Sequence, residues 1–437
     1  MKDSGVEWLG EIPSHWDVKQ IRRIASVFGG GTPSSEIQAY WDGDIPWLTP
    51  SDVSVNHGLF IERTRRNITD AGLRRSAAEL MPTGTVLMTS RASIGDVVIN
   101  TVPMATNQGF INIIPNSDKI NNLYVARWIQ HSGDFIRELG TGSTFFEVTK
   151  SSFKALPITL PPLHEQRAIA SYLDAETARI DKLIAKTERL NELLREKRTA
   201  LISQAVTKGL DAGVALKESG VEWLGEIPRH WAVKRLKFLT RKPLMYGANE
   251  AADDNRRDYP RYIRITDIKE DGSLRDDTFR SLPYEIATPY LLTEGDILFA
   301  RSGATVGKTF RYQADWGIAC FAGYLIRFRC DPTQVISEFV DYYTSSKPYW
   351  EWVNGIFIQA TIQNISAEKY ANTSLGVPPL HEQRAIASYL DRETARIDAL
   401  ITKNERLIDL LREKRTALIS AAVTGKIAVP SVSAVVK

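Results

Sequence analysis

The chain has 437 residues, 43% of them hydrophobic and 24% charged, with a formal net charge of +3. This length suits several domains with cores of their own, and the balance is that of an ordinary globular protein. The small charge excludes a chain that is cationic throughout, so a polyanion would have to be met by local positive patches. No apolar run approaches the about 20 residues that span a bilayer, and no signal-peptide pattern opens the chain. Two cysteines, Cys320 and Cys330, stand in the second half without counterparts in the first. A reduced, cytoplasmic setting with no membrane partner is therefore expected.

In chain order, the first signal is SGVEWLGEIPSHWDVKQ from Ser4, which returns as SGVEWLGEIPRHWAVKR from Ser219. Its paired tryptophans, Trp8 with Trp16 and Trp223 with Trp231, predict a strap packed on a core and docked against a helix end. From Ile21 to Ile158 short apolar runs are broken by turn signals: GGGTPSS is a loop, IPWLTPSDV a strand running into a turn, GTVLMTSRASIGDVVI a strand, polar loop and strand, and LYVARWIQ a helix. No repeating βαβ pattern occurs.

Next comes PPLHEQRAIASYLDAETARIDKLIAKTERLNELLREKRTALISQAVTKG from Pro161, repeated from Pro378 with most positions unchanged. Chance does not produce such a pair, so the chain is a tandem duplication. Apolar residues recur at heptad spacing: Leu173, Ile180, Thr187, Leu194 and Leu201 at position a, with Ile169, Leu183 and Leu190 at d. The second copy has Leu390, Ile397, Asn404, Leu411 and Leu418 at a, with Ile386, Leu400 and Leu407 at d. A helix of about 40 residues is about 60 Å long and cannot bury its seam alone, so each is the partner expected for the other. Antiparallel pairing is expected because it sets the d-row interruptions Glu176 near Lys414 and Lys197 near Glu393.

Between the helices, residues 236–375 repeat the element order of the first variable stretch with other side chains. RYIRITDI lines up with IPWLTPSDV, which places Asp267 on Asp52, and GDILFARSGATVGKTF lines up with GTVLMTSRASIG. FVDYYTSSKPYWEWV resembles the helical LYVARWIQHSGDFI, and QATIQNIS from Gln359 lines up with GSTFFEVT from Gly142. The expected organisation is α+β: two mixed α/β domains, 1–158 and 209–375, two long helices, 159–208 and 376–430, that form an intramolecular antiparallel coiled coil in a pseudo-twofold tandem repeat, and a tail, 431–437.

Chemistry leaves no trace. Gly303 and Gly307 enclose three residues where a phosphate loop needs four. The six histidines form no metal-spaced cluster, and His164 and His381 are read as capping or packing residues at the helix starts. No catalytic residue, metal ligand or cofactor site is assigned. Basic residues do concentrate in the variable domains, among them Arg63, Arg65, Arg66, Arg74, Arg75 and Arg91, then Arg256, Arg257, Arg261, Arg264, Arg301, Lys308 and Arg311. A charge cluster is usually a solvated face, but these are interleaved with Tyr, Trp, Asn, Gln and Thr, the residue types that read bases and hold phosphates.

PPLHEQRAIASYLD at each helix start and GVEWLGEIP-x-HW at each unit start resemble the specificity (S) subunit of type I restriction–modification systems, over essentially the whole chain. The resemblance implies two target-recognition domains that each read one half of a bipartite, asymmetric double-stranded DNA site. It implies helices that set the gap and bind two methyltransferase (M) subunits, with two nuclease-translocase (R) subunits joining. S-adenosylmethionine, ATP and Mg are then bound by those partners and not by this chain. The family's ARSGATVGK-type loop matches at Arg301–Lys308, whereas the first domain keeps only Arg91, Ser93 and Gly95 of it. The candidate DNA contacts are Thr49, Ser51, Arg91, Ser93, Arg264, Thr266, Arg301, Ser302, Thr305 and Lys308. The competing reading is a coiled-coil interaction adaptor whose variable domains bind a ligand other than nucleic acid.

Overall fold

The computed structural model describes every residue except 57, 141–145, 270–271, 304, 359–363 and 431–437. It divides into two compact units: Met1–Thr187 with Arg406–Lys437, and Glu188–Glu405. Each unit takes one variable domain, one half of the first long helix (Leu163–Lys208, 46 residues) and one half of the second (Leu380–Val423, 44 residues).

In the first unit a five-stranded sheet runs in the order Ala25–Gly29, Phe110–Pro115, Val86–Thr89, Val97–Asn100, Phe60–Ile61. Val86–Thr89 and Val97–Asn100 are buried along their whole length, which is why they read as unbroken apolar runs. A smaller sheet pairs Trp41–Leu48 with Ala105–Thr106 in parallel and with Asn67–Ile68 antiparallel. Helix Asn122–Glu138 covers the larger sheet with Tyr124, Val125, Trp128, Ile129 and Ile136. Its start is fixed by the Asn121 side chain, which accepts from the Tyr124 N–H at 3.1 Å.

The second unit repeats this plan. Its main sheet runs Met245–Tyr246, Leu325–Phe328, Ile297–Ala300, Thr309–Arg311, and its parallel pair is Arg261–Ile263 with Ala319–Phe321. The covering helix is in two pieces, Ser337–Thr344 and Lys347–Ile358. Pro348, which has no N–H to give a continuous helix, sits in the first turn of the second piece.

The strap and the long helix meet through side chains that both repeats keep. Trp16 Nε1 donates to Glu165 Oε2 at 2.9 Å, and His15 Nε2 lies 2.9 Å from Glu165 Oε1. Trp231 and His230 make the same clasp on Glu382 at 3.0 and 2.7 Å. Beside it, buried Gln166 accepts from the Asn121 N–H and donates to the carbonyls of Lys119 and Pro161. Gln383 does the same with Ile336, Gln334 and Pro378. The EQ of PPLHEQR is thus a docking pair. His164 and His381, expected to cap or pack, are exposed, so neither packs in a core, while the next two residues make the contacts.

The helices pair antiparallel within each unit. In the first, Ile169 and Leu173 near the start of one helix share a core with Ile419, Ala422 and Val423 at the end of the other. In the second, Ile202, Ala205 and Val206 meet Ile386 and Leu390. The seam differs from the expected heptad in one row. The a residues Leu173, Ile180, Leu390 and Ile397 are buried, with Thr187, Leu194, Leu201, Asn404, Leu411 and Leu418 partly so. The second row, however, is Thr177, Ile184, Asn191, Arg198 and Ala205 with Thr394, Ile401, Ile408, Arg415 and Ala422, while Leu183 and Leu190 are 45% and 47% exposed and Leu400 and Leu407 43% and 46%. The charge pairs invoked for the direction do not form either. Glu176 faces Arg179 and Glu393 faces Arg392, each on its own helix. Cross-helix ion pairs include Asp181–Arg415 at 3.0 Å in the first unit and Arg195–Glu405 and Arg198–Asp398, both at 3.0 Å, in the second. Asn404 Nδ2 donates to buried Asn191 Oδ1 at 2.8 Å, a polar pair inside the seam of the kind that fixes register.

Candidate nucleic-acid interface

In both units the loops at one edge of the main sheet are tied together by backbone contacts. In the first, Gly30 lies so close to Asn107 that a Cβ would sit 1.8 Å from the Asn107 carbonyl oxygen. The Ser90 N–H donates to Gly109 O at 2.8 Å and the Val148 N–H to Ser90 O at 3.1 Å, and Thr32 Oγ1 meets Gln108 Oε1. Thr49 and Ser51 join from the side, since Pro50 stands 3.5 Å from where a Cβ on Gly109 would be. The second unit builds the same crossing. Gly323 N–H donates to Ala248 O at 2.6 Å, Arg301 N–H to Tyr324 O at 3.0 Å, and Ile365 N–H to Arg301 O at 2.9 Å.

These bonds give a residue-by-residue correspondence. Ser90 and Arg301 hold one position, Arg91 and Ser302 the next, and Glu147 and Asn364 bridge to that second position. Ala92 and Gly303 follow in the same left-handed backbone, φ +58° and +79°. Each loop therefore carries one arginine, displaced by one residue between the units. Arg91 Nη2 reaches Glu147 Oε2 at 2.8 Å, and the Arg301 guanidinium stacks 4.6 Å from the Tyr246 ring centre.

Polar atoms without partners gather here. Among the described residues, the buried Ser90 Oγ, Arg91 Nε and Ser93 Oγ of the first unit lack a hydrogen bond, as do Arg301 Nε and Asn364 Oδ1 of the second. Buried polar groups are otherwise nearly always paired, because each orphan costs about 1–3 kcal/mol. Five such atoms belong to these loops and nine lie elsewhere among the described residues, so what sets the loops apart is the crossing repeated in both units and the arginine each one carries.

The other candidates divide into two kinds. Arg264 is folded back on buried Asp267, with Nε–Oδ2 at 3.1 Å and Nη2–Oδ1 at 2.7 Å, and also donates to Thr278 O. Asp267 accepts the Arg264 N–H at 2.8 Å as Asp52 accepts that of Thr49 at 2.9 Å, so the alignment of these two acids holds in the structure. Thr49 Oγ1 is held by Asp52 and Ser51. Ser51, Thr266 and Lys308 are exposed, and Ser93, Ser302 and Thr305 half-buried. Sequence reading missed Glu147, Asn364, Tyr246 and Tyr324, the last 64% exposed. The alignment of QATIQNIS with GSTFFEVT did carry Glu147 onto Asn364; most of its other residues, 142–145 and 359–363, lie outside the described residues.

No described group of three or more His, Cys, Asp or Glu is placed to hold a metal, and no described helix is long and apolar enough to cross a membrane. Cys320 and Cys330 are free, and burial pushes the Cys320 thiol up to about 12.

Two domains of one plan, each docked on its own copy of the repeated helix start, make a tandem scaffold. Residues 13–195 and 230–408 match the type I restriction modification DNA specificity domain, and the chain belongs to that family. It is 38% identical over 232 residues to the MjaIX specificity subunit of Methanocaldococcus jannaschii, a match covering 52% of each chain, so it spans about half the length of that relative. With the StySPI specificity subunit of Salmonella potsdam the identity is 21% over 431 residues, 96% of this chain and 90% of the other. Among solved structures, a chain from a study of complex assembly and conformational transition of the type I R-M system superposes with a TM-score of 0.72 at 15% identity, over 95% of this chain and all of that one. The HsdS subunit from Thermoanaerobacter tengcongensis gives 0.58 at 16% identity over 98% of this chain and 100% of its own. These structural likenesses are of fold. The relatives are named specificity subunits of restriction enzymes, which accords with a subunit that carries no chemistry of its own.

Proposed function

We propose that this chain reads a bipartite, asymmetric double-stranded DNA site, one half-site per unit, and brings methyltransferase and restriction subunits to it in the cytoplasm. The observation that carries the reading is the loop crossing repeated in both units, with one arginine in each loop. Arginine, serine, asparagine and exposed tyrosine are the groups that hydrogen-bond base edges and phosphates or stack on bases. The backbone of the edge is the same in both units while its side chains differ, which favours two different half-sites.

Recruitment is supported by leucines that the seam leaves outside. Leu183, Leu407 and Leu410 are exposed in the first unit, and their repeat counterparts Leu400, Leu190 and Leu193 in the second. Two equivalent apolar surfaces suit two copies of one methyltransferase subunit, with two restriction subunits joining the assembly. S-adenosylmethionine, ATP and Mg then belong to those partners. Helices of 46 and 44 residues, about 70 Å and 65 Å long, set the gap between half-sites.

The test is long-read methylome sequencing of cells with and without this gene, beside salt-dependent DNA retention by the purified complex. The expected result is one bipartite motif that appears with the gene, and affinity that falls steeply with salt. Retention without sequence preference and no gained motif would leave the interaction adaptor as the reading.

A further inference from the structure

We infer that residue 147 in the first unit and residue 364 in the second select a base, Glu147 preferring cytosine and Asn364 preferring adenine. The inference rests on the DNA-reading function proposed above and goes beyond it by naming a position and the chemistry it accepts.

The argument begins with what is constant around the position. The next residue, Val148 or Ile365, donates its N–H to Ser90 or Arg301, and the one after that, Thr149 or Ser366, caps a short helix by accepting from Ser152 or Lys369. Glu147 and Asn364 bridge to Arg91 and Ser302 in the same way. A frame held this closely presents the side chain at one place in both units, and only the side chain differs.

The chemistry differs in a directed way. Glu147 is a pure acceptor. A carboxylate beside DNA is repelled by phosphates unless it is neutralised, and Arg91 Nη2 does this on Oε2 at 2.8 Å. Arginine commonly grips a carboxylate with two nitrogens, but Arg91 Nε is unpartnered, and so the pair is left short of saturation. Glu147 Oε1 remains to accept from the N4 amino group of cytosine, the contact acidic side chains make in the major groove. Asn364 offers one acceptor and two donors, and its Oδ1, shut from solvent in the free fold, has no partner there to hold it back from a base. That set matches adenine, whose N6 amino group gives a proton while N7 accepts one. Arg301, which follows the strand Ile297–Ala300 and accepts from the Ile365 N–H, remains for a neighbouring base or phosphate.

Two isosteric exchanges test this in the full complex. Glu147→Gln gives the first unit an amide, and Asn364→Asp gives the second a carboxylate. Each variant is compared with wild type by competition binding over duplexes randomised in both half-sites, and by methylome sequencing. The expected outcome is a change of preference from C to A in the first half-site for E147Q and from A to C in the second for N364D, each about tenfold or more at one base pair, with the other half-site unchanged. An unaltered ranking of bases in both variants overturns the inference. So does a uniform loss of affinity for every duplex with an unchanged melting temperature, which would make the position a support for the loop. Failure of the wild-type complex to discriminate among duplexes would instead remove the DNA-reading function itself.

Discussion

The two units dock their domains on the same ledge of the repeated helix with different hands. In the first, buried Arg127 donates to Asp174 at 3.2 Å and to Thr177 at 3.1 Å. In the second, the hydroxyl of Tyr342, at the equivalent helix position, donates to Asp391 at 2.6 Å and lies 3.4 Å from Thr394. Asp174 and Thr177 correspond to Asp391 and Thr394 in the repeat, so the acceptors are constant and the donors are not. Burial, and then Arg415, draw the Arg127 pKa down, whereas burial and then the Asp391 contact raise that of Tyr342. A domain that diverges to recognise something new keeps its seat by finding any donor that reaches the same carboxylate.

The strongest way to separate the units is to cut the contacts they share. Gln166→Leu strands one buried N–H and two carbonyls in the first unit, and Gln383→Leu strands their counterparts in the second. Each should lower the stability of its own unit by about 3 kcal/mol, read as faster amide exchange across that unit. Exchange that rises equally in both units would show that the two do not unfold independently.

A middle-sized effect is expected where the donors differ. Arg127→Leu removes three hydrogen bonds of a buried guanidinium, to Gln130, Asp174 and Thr177, and should cost about 2 kcal/mol, Tyr342→Phe one bond to exposed Asp391 and about 1 kcal/mol. Denaturant unfolding followed by unit-specific exchange checks the order. The reverse ranking would mean that the Arg127 contact is no stronger than the tyrosine that replaces it.

The smallest concerns a single carboxyl of the second unit. Burial pushes Asp341 up to about 6, against the pull of Arg311 at 3.8 Å and of Arg198, with Glu338 and Asp391 adding to the rise. The folded state thus holds the Asp341 proton more tightly than the unfolded chain does. Its contribution is present at low pH and lost as pH rises through about 6. Asp341→Asn should raise the melting temperature slightly at about pH 8 and leave it unchanged at about pH 2.5, where the acid is protonated in both states. An equal shift at both pH values would assign the effect to packing.

Much of this was legible in the sequence because it is local or duplicated. The strap, the strands Val86–Thr89 and Ile297–Ala300, and both long helices follow from apolar periodicity and from the repeat. The second row of the seam was not. Leu183 and Leu190 carry the stronger apolar signal, but Thr177 and Asn191 take the buried places, because the partner helix approaches from their side. Periodicity reports which faces are apolar and cannot say which of two adjacent rows a partner covers. The candidate edge was half legible. Arg91 and Arg301 stood out by composition, while Glu147 and Asn364 come to them from more than fifty residues away, a proximity that only the fold creates. Arg264 looked like its neighbours in type, yet buried Asp267 holds it.

The closure of the first unit by the end of the second helix bears on the order in which the protein matures. Tyr124 donates to Val423 O across 299 residues, and Thr159 joins it at 2.8 Å. The second unit, Glu188–Glu405, is one uninterrupted stretch of chain. During synthesis from the N-terminus the domain made first therefore waits, its floor open, until the last helix emerges, while the domain made second can finish before it. A nascent chain stopped short of residue 406 would carry a complete second unit and an unsealed first one, and would present apolar Ile169 and Leu173 to whatever binds them. The integrity of the first unit thus depends on residues that follow the whole of the second.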